Sequence, residues 1–180
     1  MANKNKALRI TRPAARLAFL GVMGTLALAL SFLEGLLPPM PYLPPGAKPG
    51  LSNVATLFTV HKLGCKEAFA IAVLKALFAG ATRGVTAGLL SLSGGILSTV
   101  VLCLLLRQEK LGLVGVCVIC AVCHNAGQLA AACLLTGTVK LVAAAPVLLL
   151  FSLAAGIVTG CISRAVLPVL LRLKLSERTS

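Results

Sequence analysis

The chain has 180 residues, 58% apolar and only 12% charged, with 17 Lys and Arg against 4 acidic residues and a formal net charge of +13. A soluble domain is roughly 45–50% apolar and about 25% charged, so with a mean hydropathy of +1.01 a soluble globular fold is excluded. A pI near 10.1 suits nucleic acid as well as a membrane. The cations, however, flank apolar runs and the aromatics are six Phe and one Tyr, so no nucleic-acid partner is expected.

Residues 1–12 form a basic arm carrying Lys4, Lys6, Arg9 and Arg12. The uncharged run 17–33 then sets helix 1, over about 13–37. At ~1.5 Å per residue, about 20 apolar residues cross a hydrocarbon core of ~30 Å. Basic residues before an apolar run also begin signal peptides, but no small-x-small cleavage site precedes the next loop and a retained helix is expected. Residues 38–50 are rich in Pro and Gly, which interrupt helix because Pro lacks an N–H and disfavours a helical residue before it. Lys48 is the only cation there.

Helix 2, over about 51–63, is short, and a basic turn from His61 to Glu67 leads into helix 3, which carries Lys75 and runs to about 81. Arg83-Gly84 marks the next turn. Helix 4 is expected over 85–106, a turn at Arg107 to Lys110, helix 5 over 111–135 and a turn at 136–140. Helix 6 begins near 141, with a bend expected at Pro146, and reaches 164 or beyond. The stretches 84–106, 111–139 and 141–163 carry no Lys, Arg, Asp or Glu.

The charges fix an orientation. On alternate connections and both termini lie Lys4, Lys6, Arg9, Arg12, Arg16, Lys62, Lys66, Arg107, Lys110, Arg164, Arg172, Lys174 and Arg178. The opposite connections hold Lys48, Arg83 and Lys140, and Lys75 sits within a helix. Cytoplasmic loops of membrane proteins carry the excess of Lys and Arg. Thirteen against three therefore predicts an all-α polytopic bundle of six transmembrane helices. The arm 1–12 and the tail 173–180 would be cytoplasmic, flanking a transmembrane domain over 13–172 in the cell membrane.

Polar groups inside such spans are expensive and mark candidate sites. Lys48 and the start of helix 2 at Asn53 offer a cation beside helix N–H groups that suit an anion; an ordinary surface turn is the bland alternative. Lys75 and Arg83 are eight residues apart, roughly two turns on one helical face, and face one cavity unless Lys75 snorkels to an interface. His124, Asn125 and Gln128 lie at mid-membrane, His124 and Gln128 one turn apart. They either bind ligand or join helices by hydrogen bonds. Ser91, Ser93, Gly94 and Gly95 in helix 4 suit the close approach of a ligand or of another helix, small-residue helix packing being favoured. Ala14, Ala18, Gly21 and Thr25 form a four-residue small strip on helix 1 that suits a partner helix.

The seven Cys are odd in number and mostly inside apolar runs, which argues against a disulfide framework. Cys120-Ala-Val-Cys123-His124 matches the c-type haem attachment pattern. It lies in an apolar helix with no second cluster, so neither haem nor a metal nor another cofactor is expected.

Three segments in order, Gly46-Ala-Lys-Pro-Gly-Leu-Ser-Asn53, Ser91-Leu-Ser-Gly-Gly95 and Cys123-His-Asn-Ala-Gly-Gln128, resemble a bacterial membrane family called heptaprenyl diphosphate synthase component I, or Gx transporter. The resemblance covers about residues 14–172 and is similar in turn to the six-helix substrate-binding components of energy-coupling factor transporters. It implies capture of a small vitamin or isoprenoid-related precursor and docking on a transmembrane coupling subunit driven by two ATPases. The candidate ligand contacts it implies are Lys48, Asn53, Ser91, Ser93, His124, Asn125 and Gln128, with a basic residue at Lys75. The Cys run departs from the family's pattern.

An enzyme label fits the residues poorly. Chain-elongating prenyl synthases hold diphosphate through Mg²⁺ on clustered carboxylates, and this chain has no Asp and four scattered Glu. No Gly-Lys-Ser/Thr phosphate loop is present either. A non-enzymatic capture subunit for a small anionic solute is the leading expectation. A membrane accessory of prenyl diphosphate or quinone synthesis is the second, and a scaffold without ligand the third.

Overall fold

The computed structural model describes residues 10, 12–36, 50–108 and 111–172. Lys48, most of the Pro-rich loop and the chain ends lie outside the described residues. Among the described residues there are six α-helices: α1 (Pro13–Gly35), α2 (Asn53–Lys62), α3 (Cys65–Arg83), α4 (Val85–Gln108), α5 (Leu113–Thr136) and α6 (Ala145–Arg172), the last entered through a 3₁₀ turn, Val139–Ala144. Pro13 opens α1, where its missing N–H costs nothing and its fixed φ suits the first turn. Pro146 falls in the first turn of α6 for the same reason, so the bend expected there is instead the change from 3₁₀ to α winding. Gly84 alone joins α3 to α4, at φ +96°, a conformation that Gly adopts without a Cβ clash.

Pro13–Gly35, Val85–Leu106, Leu113–Thr136 and Val139–Leu170 are long and apolar enough to cross a membrane. Their large outward side chains, among them Leu17, Val22, Phe32, Leu134 and Leu150, are exposed, as lipid contact requires and water does not favour. This is an all-helical membrane protein. α3 has 19 residues but carries Lys66, Glu67, Lys75 and Arg83. α2 has only 10 residues, a rise of about 15 Å, half of a hydrocarbon core.

The helices α3, α4, α5 and α6 pack as successive antiparallel neighbours, and α2 is set among α1, α3, α4 and α6. Residues 54–60 of α2 are all buried. Two glycines permit a close crossing of α4 and α5. A Cβ on Gly94 of α4 would stand 2.6 Å from the His124 carbonyl of α5, and one on Gly127 would stand 3.0 Å from the Gly94 Cα. The serine-glycine segment of helix 4 is thus a small-residue crossing.

One end of the bundle, here the Gly64 end, gathers the start of α1, the α2–α3 turn and the end of α4. Ile10 N–H donates to the Lys62 carbonyl at 3.0 Å, Arg16 pairs with Glu67, and Cys65 is bonded to Cys103. That disulfide corrects the expectation from the odd cysteine count, because folding brings one pair of helix ends within 6.1 Å Cα to Cα and leaves five Cys free. The opposite end, at Gly84, carries the end of α1 and the starts of α2 and α4.

Candidate functional site

Toward the Gly84 end, Ser31 and Glu34 of α1, Ser52, Lys75 and Arg83 of α3, Ser91 of α4, and His124 and Gln128 of α5 line one space of about 260 Å³. Helical phase explains the pairings. Lys75 and Arg83 are two turns apart on one face of α3, and His124 and Gln128 are one turn apart on α5. Lys75, His124 and Gln128 each keep 4% or less of their surface exposed, so their polar atoms must find partners in the protein or in a ligand.

Lys75 Nζ donates to Asn53 Oδ1 at 2.8 Å. The Gln128 amide nitrogen and His124 Nε2 lie 3.1 Å apart, while His124 Nδ1, Asn53 Nδ2 and Thr56 Oγ1 are buried with no hydrogen-bond partner. The Glu34 carboxylate accepts from the Ser52 N–H at 3.3 Å and from its hydroxyl at 3.4 Å. The same carboxylate is the charge felt by both Lys75 and Arg83. With one anion and two cations, the site keeps a net positive lining.

Four placements differ from the sequence-based expectation. The start of α2 does not present a free anion site, because Glu34 takes the Ser52 N–H and is itself the anion at that helix terminus. Asn53 gives its carboxamide oxygen to Lys75 and lines the neighbouring apolar space, not this one. Asn125 does not face the space. It lies a single residue round the helix from His124 and donates to the Ser152 hydroxyl of α6 at 2.8 Å. Ser93 donates to the Leu90 carbonyl of its own helix at 3.0 Å and sits at the α4–α5 crossing, and only Ser91 reaches the space.

Ser31, Glu34 and Ser52 line the space and are not among the candidate residues that the sequence singles out. A carboxylate at the end of an apolar helix, 5% exposed, is costly unless paired, and that was the available signal. The strip Ala14, Ala18, Gly21 and Thr25 is exposed on the outer face of α1, with nothing within 4 Å of where a Gly21 Cβ would lie. Cys117 and Cys120 line a separate apolar space, and among the described residues no three His, Cys, Asp or Glu side chains come together as a metal set.

No curated protein and no solved structure matches the chain. The family model for heptaprenyl diphosphate synthase component I matches residues 23–166, well over half of the chain and all of the site described above. With its apolar spans and its polar cluster on that matched stretch, this chain belongs to the heptaprenyl diphosphate synthase component I family.

Proposed function

We propose that the chain is a non-enzymatic membrane subunit that captures a small anionic solute. The observation that carries this reading is the convergence of Lys75, Arg83, His124 and Gln128 on one space from two different helices. In a low-dielectric site a net positive lining attracts phosphate or carboxylate strongly. All six helices lie across the cytoplasmic membrane, α2 as a buried half-span, and both termini are cytoplasmic, by the thirteen-to-three distribution of Lys and Arg. The site then opens away from the cytosol.

Captured solute must be passed on, and the exposed small-residue strip of α1 supplies a face for a transmembrane coupling subunit with its ATPases, as in energy-coupling factor transporters. The test is binding and uptake by the purified, reconstituted protein with a panel of phosphorylated and carboxylated small solutes. The Lys75→Ala, Arg83→Ala double variant is expected to lose both; unchanged binding and uptake would end this reading.

The family name favours a second reading, a membrane component that holds a separate prenyl diphosphate synthase. The chain's lack of Asp leaves any Mg²⁺ clamp to that partner. A pull-down from native membrane separates the two. Coupling subunit and ATPases are expected for the first, and a soluble Asp-rich synthase for the second.

A further inference from the structure

On the Gly64 side of the polar space lies a second space of about 400 Å³, walled by α2, α4, α5 and α6 at Val54, Leu57, Leu102, Cys117 and Ala121. Three of the four hydroxyls on its wall are turned away, all but that of Thr56: Ser98, Thr99 and Thr159 donate to carbonyls of their own helices. What they present is hydrocarbon.

The two spaces share a thin partition. Asn53 lines the apolar space and accepts from Lys75, which lines the polar one. Gly50 lines the apolar space at φ +81°, and a Cβ on it would stand 3.2 Å from the His124 ring, which lines the polar one. Three buried polar atoms without partners, Asn53 Nδ2, Thr56 Oγ1 and His124 Nδ1, belong to residues of this partition and the adjoining wall. Thr56 and His124 are 3% and 4% exposed. The other two such atoms, Asn125 Oδ1 and Ser163 Oγ, belong to residues that line neither space. Buried donors and acceptors left unmade are destabilising, and their clustering calls for a ligand group that meets them.

Resting on the capture reading above, we propose that the ligand is an acidic amphiphile, its phosphate or carboxylate head beside Lys75 and Arg83 and its short hydrocarbon tail in the apolar space. Asn53 Nδ2 and the Thr56 hydroxyl meet an oxygen at the junction of head and tail. The acidic head alone forgoes the burial of the tail, and each methylene moved from water into such a space tightens binding roughly fourfold.

The experiment is calorimetry on the purified chain in lipid nanodiscs with methyl phosphate and n-pentyl phosphate. Pentyl phosphate is expected to bind more than tenfold tighter, four extra methylenes being buried. Ala121→Leu, checked for folding by its melting curve, is expected to cut that ratio below threefold. Equal affinities for the two probes in the wild type overturn the tail site and leave solute capture standing. Absence of binding by either probe overturns both. A pentyl preference that Ala121→Leu does not change assigns the tail to the bilayer and overturns the proposal. So does a phospholipid acyl chain that mass spectrometry finds in the chain and pentyl phosphate does not displace.

Discussion

The ammonium of Lys75, at the middle of α3, and the carboxamide oxygen of Asn53, in the first turn of α2, meet at 2.8 Å inside the bundle. This one bond ties the short buried helix α2 to α3 beside the polar space. Removing either partner leaves the other buried and unpaired. Asn53→Leu and Lys75→Met are each expected to destabilise the protein by about 1–3 kcal/mol. In a double-mutant cycle read by thermal unfolding in detergent, the pair is expected to depart from additivity by about 0.5–3 kcal/mol. Additive effects would show that the bond does not form.

Gly94 and Gly21 make a matched contrast. A methyl on Gly94 meets the His124 carbonyl at 2.6 Å, whereas a methyl on Gly21 meets nothing. Gly94→Ala is expected to push α4 from α5 and destabilise by roughly 1–3 kcal/mol, and to weaken ligand binding because His124 moves. Gly21→Ala is expected to hold or raise the melting temperature, because Ala favours helix over Gly by up to about 1 kcal/mol. On the capture reading proposed above, a bulkier Gly21→Leu is expected to keep the fold and lose copurification of the proposed coupling subunit.

Gly50 is held at φ +81°, with Asn53 Nδ2 3.0 Å and the His124 ring 3.2 Å from where a Cβ would stand. Gly50→Ala therefore strains the backbone by about 1–3 kcal/mol and presses on two site residues at once. The expected result is a fall in ligand affinity larger than the fall produced by Gly84→Ala. Gly84 also has positive φ but open space around it.

Cys65 and Cys103 close a loop with a sequence separation of 38, and a cross-link of that length stabilises by about 2–4 kcal/mol. Dithiothreitol is expected to lower the melting temperature of the air-oxidised protein. Reducing cytosol keeps thiols free, so a cytoplasmic Gly64 end predicts both residues as thiols when intact cells are alkylated before lysis. A bond already closed in cells would place that end outside and reverse the topology.

The amino-acid order by itself determines the membrane character, the helices and the phase of each polar group on its own helix. Uncharged runs such as 84–106 and 141–163 have no other home than lipid or a helix packed beside it, and 3.6 residues per turn puts Lys75 with Arg83 and His124 with Gln128. Phase within a helix does not fix how that helix is turned against its neighbours. Only the tertiary structure decided that Asn125 faces α6, that Ser91 and not Ser93 reaches the site, and that Glu34 closes the start of α2. Those outcomes depend on close crossings such as Gly94 on His124, which set rotation and depth through contacts between residues distant in the chain.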